Sequence, residues 1–173
     1  MTGIVASQIH DDGRSAIPHA SDVAHTRNNL HARTLSRMRE PQSDMRPFAL
    51  VVDDDGLLRM DVAEILEDVG FRTLEACSGD EALLVLEDRY LDVSLLFTDV
   101  EMPGDRNGFA LAREVAVKWP YISVVVASGR LKPDDGDLPT GARFIGKPFS
   151  AATVRDHLRE VMPDARKPDA LLD

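Results

Sequence analysis

At 173 residues, 43% of them hydrophobic, the chain can bury one full-sized core, and two independent domains are not expected. A formal net charge of −10 argues against a nucleic-acid partner, because a phosphate backbone needs clustered Lys and Arg that this composition does not supply. The single Cys77 excludes an internal disulfide, and no apolar run approaches the roughly 18 residues of a spanning helix, so a cytoplasmic protein with no membrane partner is the expectation.

Before Pro47 there are six arginines against five acids, so the acidity belongs to the later part of the chain. Residues 1–45 lack sustained apolar periodicity and read as a flexible N-terminal extension, with a weak basic helix around residues 30–38 as the alternative. His10, His19, His25 and His31 have no zinc-motif spacing. From Phe48 the texture changes to short apolar runs alternating with amphipathic segments, which predicts a parallel sheet wrapped by helices over residues 46–162. Residues 48–52 form the first strand. Leu58, Val62, Ile65, Leu66 and Val69 recur at helical spacing until Gly70 stops the helix. A second strand covers 71–76, with Cys77 as a small buried side chain at its end. Ser78 and Glu81 make a capping-box signature for a helix to about Glu87, followed by a strand at 93–98. The third helix, 108–118, buries Leu111, Ala112, Val115 and Trp119; Pro120 ends it before a strand at 122–127. Residues 130–142 hold Pro133, Gly136, Pro139 and Gly141, so the fourth helix is expected to be short or irregular. A fifth strand follows at 143–146. Ser150 then caps a last helix buried through Ala151, Val154, Leu158 and Val161, and residues 163–173 form a C-terminal tail.

Five strands alternating with helices imply right-handed crossovers and an open parallel sheet, in which ligands sit at the carboxyl ends of the strands. Polar residues fall at those ends. Asp53, Asp54 and Asp55 follow the first strand, Asp99 the third, Ser128 the fourth and Lys147 the fifth. If the first and third strands are neighbours, Asp54 and Asp99 face each other, and such carboxylates repel unless a cation or proton separates them. Mg²⁺ (or Mn²⁺) suits a few carboxylates and several waters. A carboxylate can attack phosphorus, while metal and lysine neutralise the transferring group and Ser128 donates a hydrogen bond to it. Asp55 reads instead as an acid leading the helix.

Leu50-Val51-Val52-Asp53-Asp54-Asp55, Thr98-Asp99-Val100-Glu101-Met102-Pro103-Gly104, Ala127-Ser128-Gly129 and Lys147-Pro148-Phe149 resemble the response-regulator receiver family in order and spacing, over about residues 47–162. The resemblance implies a doubly wound α/β fold of flavodoxin-like type, with five parallel strands in the order 2-1-3-4-5. It implies Asp99 as phosphoacceptor, with Asp53, Asp54, Asp99 and the main-chain carbonyl of Glu101 as metal ligands. Lys147 would bind the phosphoryl group, the Lys147-Pro148 bond would be cis, and Ser128 would move toward the phosphoryl group on activation. Phe144 stands at the family's aromatic switch position, where core packing is the simpler role for a phenylalanine. Glu101 and Arg130 occupy positions where the family tunes access of attacking water, and a pair between them across the pocket mouth is expected to set the phosphoryl lifetime.

The implied function is that of a two-component regulator, a phosphoacceptor signalling protein rather than an enzyme acting on external substrates. It would take its phosphoryl group from a sensor histidine kinase or phosphotransfer protein. The signal would leave through a downstream target protein or a phosphorylation-dependent homodimer, with no DNA-binding output domain attached. Shortening between Ser128 and Lys147 and slight lengthening over residues 104–108 resemble single-domain regulators and receivers attached to hybrid kinases. The alternatives are a phosphorylation-independent interaction module with the same fold, and an aspartate-nucleophile Mg²⁺ phosphatase. The phosphatase pattern would place its nucleophile in an Asp-x-Asp motif after the first strand.

Overall fold

Alternation along Phe48–Val52 (β1) sends Phe48, Leu50 and Val52 to one face and Ala49 and Val51 to the other, all of them buried. A strand that is apolar on both faces needs cover on both, and the chain supplies it by alternating strands with helices. In the computed structural model, which describes residues 45–172, β1 is followed by Gly56–Asp68 (α1), Arg72–Ala76 (β2), Gly79–Arg89 (α2) and Val93–Asp99 (β3). Gly108–Lys118 (α3), Ser123–Ser128 (β4), Arg143–Gly146 (β5) and Ala151–Val161 (α4) complete the main elements. All strand pairs are parallel, in the expected order β2-β1-β3-β4-β5. Residues 1–44 of the expected N-terminal extension 1–45, with its basic helix and its four histidines, lie outside the described residues. No helix among the described residues is long and apolar enough to cross a membrane.

One core joins Leu50, Leu96 and Val126 of the sheet to Leu83 and Leu86 of α2 and Leu111 and Val115 of α3. The second joins Val51, Phe97 and Val125 to Val62 and Leu66 of α1 and Val154 and Leu158 of α4. Burying each of these leucines contributes about 2 kcal/mol. Each helix starts on a side-chain cap: Asp55 accepts from Leu57 N at 2.9 Å, Ser78 from Glu81 N at 3.2 Å, Asn107 from Ala110 N at 2.9 Å and Ser150 from Thr153 N at 3.2 Å. Such caps are worth about 1 kcal/mol apiece.

Five residues depart from the sequence expectation, two of them Ala151 and Val161 of α4, which are half-buried. Leu58 is 40% exposed, because the first turn of α1 lies past the end of β1 and leaves it only a groove edge beside Pro148 and Phe149. Cys77 is exposed: it follows buried Ala76 by one residue, and its N–H donates to Glu81 Oε2 at 2.7 Å. Trp119 is only half-buried, stacked on Tyr90 with ring centroids 6.2 Å apart.

Between β4 and β5 the chain makes only turns, which agrees with its proline and glycine content. Side chains fasten this segment in place of a helix. Arg113 Nη1 donates to the Asp137 carbonyl at 3.1 Å, Asp134 N donates to Asp137 Oδ2 at 2.9 Å, and Leu138 packs on the first core.

Residues beyond α4 form two short 3-10 turns, Asp164–Arg166 and Asp169–Leu171, that tuck Pro168 and Leu171 under the sheet. Gly70 makes room for them: it ends α1 at φ +99°, and a Cβ there would lie 2.9 Å from Pro168 Cβ. Leu171 is 2% exposed within the second core. Leu171→Ala is therefore expected to lower stability by about 2–4 kcal/mol, read as a fall in the urea midpoint. A midpoint equal to wild type would mean that the segment is not packed.

Candidate functional site

The parallel registers bring four strand ends to one edge. Val52 pairs with Thr98, Asp99 with Ala127, and Ser128 with Gly146, so Asp53, Asp99, Ser128 and Lys147 all emerge at the carboxyl end of the sheet. Asp53 leaves β1 with its N–H still bonded to the Ala76 carbonyl at 3.3 Å, and its Oδ1 accepts from Asp55 N at 3.0 Å. The loop is thus bent back over its own carboxylate. Asp53 and Asp99 are 5% and 7% exposed, whereas Asp54 is exposed. Lys147 N donates to the Ser128 carbonyl at 2.8 Å, which carries the register of β5 one residue past the strand. From there Lys147 Nζ reaches Asp99 Oδ1 at 2.6 Å and Asp53 Oδ2 at 2.7 Å. The Lys147-Pro148 bond is cis.

Asp53, Asp54 and Asp99 each offer a carboxylate oxygen, and these atoms lie within 4.8 Å of one another. An all-oxygen donor set of this charge fits a hard divalent cation such as Mg²⁺ or Mn²⁺, and suits softer metals poorly. The electrostatics of the pocket are set by burial and by one ammonium. Burial raises the Asp99 pKa above its ordinary value and outweighs the Lys147 hydrogen bond and charge, which pull it down. Burial also works against the Lys147 ammonium, but bonds to both carboxylates hold its pKa above the usual lysine value. Asp99 is thus a carboxylate kept in a half-dry pocket by one lysine.

The other residues named from sequence fall in different places. Ser128 is 3% exposed, and its Oγ accepts from Arg130 N at 3.2 Å and Leu131 N at 2.9 Å, so the hydroxyl is engaged by its own loop. Phe144 pairs with Val126 and packs half-buried on the first core. Phe149 packs edge-on against Phe97, with ring centroids 5.7 Å apart. Glu101 and Arg130 are both exposed, and no ion pair joins them among the described residues. An exposed pair gains too little to order two long side chains, and the bonds of Arg130 N and Leu131 N to Ser128 fix the direction of this loop independently. Asp55 acts as a helix cap, as expected of an acid leading α1.

Arg59 contributes to the site without any motif announcing it. From the second turn of α1 its Nη1 donates to the Asp53 carbonyl at 2.7 Å, and its Nε donates to Glu75 Oε2 at 2.7 Å. The only sequence signal is a base six residues after the first aspartate, and spacing does not say which way such a side chain turns. Gly108 is a second such residue. It is the first residue of α3, its N–H donates to the Val100 carbonyl at 3.0 Å, and a Cβ there would lie 1.9 Å from the Asp99 carbonyl oxygen.

The profile of the response regulator receiver domain matches residues 49–159. The sensor kinase CckA of Brucella abortus is 32% identical over 116 residues, covering 65% of this chain and 12% of that protein. The C4-dicarboxylate transport transcriptional regulatory protein DctD of Rhizobium meliloti is 30% identical over 113 residues, covering 61% of this chain and 23% of its own length. Both matches span a minor part of the relative. Among solved structures, the receiver domain of the hybrid histidine kinase CckA superposes with a TM-score of 0.58 at 28% identity, covering 67% of this chain and 99% of that one. A response regulator receiver protein from Sinorhizobium medicae gives a TM-score of 0.64 at 23% identity, covering 70% and 98%, and a CheX-CheY-BeF3-Mg complex from Borrelia burgdorferi gives 0.60 at 22%, covering 66% and 88%.

Proposed function

Since this chain belongs to the response regulator receiver domain family, we propose that it is a phosphorylation-controlled switch whose acceptor is Asp99. One observation carries the reading: a single lysine ammonium bridges Asp53 and Asp99, while the carboxylate oxygens of Asp53, Asp54 and Asp99 converge within 4.8 Å. That arrangement suits one reaction well. An Asp99 oxygen bonds the phosphorus of the donor, the donor's bond to phosphorus breaks with its electron pair, and an acyl phosphate is left on the protein. Asp53, Asp54 and Asp99, with the Glu101 carbonyl, would hold Mg²⁺ or Mn²⁺, which when bound neutralises charge on the transferring group. Lys147 supplies the protein's own positive charge at the same place.

Phosphorylation adds roughly −1.5 to −2 charges and strong acceptor oxygens. Ser128 Oγ accepts from the Arg130 and Leu131 N–H groups, so any movement of this hydroxyl toward the phosphoryl oxygens would pull on the loop that follows it. The signal would therefore reach residues 129–142 first. A phosphorylation-dependent homodimer would not rest on a helix between β4 and β5, because that segment forms only turns. A sensor histidine kinase or phosphotransfer protein is the proposed donor, and a downstream target protein the proposed reader. Asp99 stands at the end of β3 and not in a motif after β1, which favours this reading over a phosphatase.

Incubation with acetyl phosphate and Mg²⁺ is expected to add the mass of one phosphoryl group, and Asp99→Ala is expected to abolish it. Intact-mass spectrometry reads both. No adduct under conditions that label another receiver would favour the phosphorylation-independent interaction module. An adduct that survives Asp99→Ala would move the acceptor elsewhere, and turnover of added phosphomonoesters would revive the phosphatase.

A further inference from the structure

We propose that Arg59 is a positioning residue of the cation site: braced by Glu75, its guanidinium fixes the peptide between Asp53 and Asp54 and so aims the Asp54 carboxylate. The inference rests on the Mg²⁺-dependent reading of the pocket. Asp53 is held by its own side chain, through Lys147 Nζ at 2.7 Å and Asp55 N at 3.0 Å. Asp54 is not. Its carboxylate is exposed and accepts no hydrogen bond from any described residue, so its direction comes from the backbone alone. That backbone leaves the sheet here, since the registers of β1 with β2 and β3 end at Val52. The 2.7 Å bond from Arg59 Nη1 to the Asp53 carbonyl ties the departing peptide to α1. The second donor of the fork, Nε, reaches Glu75 Oε2 on β2 at 2.7 Å, so the guanidinium is itself anchored to the sheet. One side chain thereby locks the peptide that follows β1 to α1 and β2, with 21% of its side-chain surface exposed.

Positioning and plain electrostatics predict opposite signs. If Arg59 acted only as a nearby positive charge, removing it would leave Mg²⁺ binding unchanged or make it tighter, because like charges repel. As a positioning group, its loss weakens Mg²⁺ binding, and supporting partners of metal ligands are typically worth about 10- to 100-fold in affinity.

The test is calorimetric titration of Mg²⁺ into the full chain, alongside urea melts in EDTA, for wild type, Arg59→Met, Arg59→Lys and Glu75→Gln. Arg59→Met is expected to weaken Mg²⁺ about tenfold with little change in the EDTA midpoint. Arg59→Lys should fail to restore affinity, since one ammonium does not reproduce a fork spanning a carbonyl and a carboxylate. Glu75 is half-exposed on an edge strand, so Glu75→Gln keeps the fold while loosening the brace, and it should weaken Mg²⁺ to a smaller extent. Unchanged or tighter binding by Arg59→Met, or full recovery with Arg59→Lys, would overturn the positioning role and leave the receiver reading intact. Wild type that binds no Mg²⁺ would overturn both.

Discussion

Lys147→Met is expected to cost about 2–4 kcal/mol of stability at neutral pH in metal-free buffer, and Mg²⁺ should recover more stability for the variant than it adds to wild type. The magnitude comes from the two acids that lose their partner. Lys147 is 18% exposed and the Asp53 and Asp99 side chains 7% and 8%, so the substitution strands two carboxylates in a half-dry pocket. Breaking a buried ion pair by removing one partner costs about 3–5 kcal/mol when burial is complete, and the partial exposure of Lys147 trims the figure. A divalent cation can replace the missing charge, hence the unequal recovery. The sign with pH follows from Asp99. Burial and the charge of Asp53 already raise its pKa, and loss of the lysine raises it further. The deficit of the variant should therefore be smallest below the unfolded carboxylate value of about 4 and grow as pH rises through the raised folded value. In wild type the raised pKa of Lys147 places its stabilising effect below the unfolded lysine value of about 10.4, to be lost as pH climbs through the folded one. Urea melts in EDTA and in Mg²⁺ across this range decide the matter. A variant as stable as wild type in EDTA at pH 7 would mean that the bridge seen in the pocket is energetically idle.

Gly108→Ala is expected to lower stability by about 3 kcal/mol and to slow labelling by acetyl phosphate about 100-fold. Its added Cβ would meet the Asp99 carbonyl oxygen at 1.9 Å, its carbon at 2.8 Å and Val100 Cα at 2.9 Å. All three are backbone atoms at the acceptor, so no rotamer change relieves the clash and the loop or the start of α3 has to move. Overpacking of this kind costs about 1–3 kcal/mol, and a backbone clash falls at the upper end. Restoring an ordinary separation shifts the acceptor by an amount on the order of 1 Å, and displacement of that size can cost about 100-fold in rate. Gly146→Ala is the matched control: it lies beside Lys147, but a Cβ there meets nothing within 4 Å, so its stability should stay within about 0.5 kcal/mol of wild type. Labelling of Gly108→Ala at the wild-type rate would show that the acceptor loop yields without losing its geometry.

Much of the pocket is legible before any coordinates. Asp53, Asp99, Ser128 and Lys147 each follow a short apolar run, and once those runs are parallel strands the same edge must receive all four. The missing helix between β4 and β5 is equally legible, because proline and glycine act on their own backbone. The burial of Pro168 and Leu171 was not. Residues 163–173, two of them prolines, carry no periodicity, and the packing of Pro168 depends on the space left by Gly70, far earlier in the chain. Arg59 escaped for a similar reason: a long side chain on an amphipathic helix can turn to solvent or to a carbonyl, and only the position of Glu75 on the neighbouring strand chooses.

By itself, then, the sequence determined the order of the elements, the caps Ser78 and Ser150 and the identity of the groups at the strand ends, since alternation, helical spacing and caps act over a few bonds. The tertiary structure decided which of those groups touch. Lys147 meets Asp99 and Asp53 across 48 and 94 positions of chain, Ser128 turns to its own loop, Glu101 and Arg130 stay apart, and Gly108 lies too close to the acceptor for any side chain. Such contacts are set by packing between segments distant in sequence, which short-range patterns do not encode.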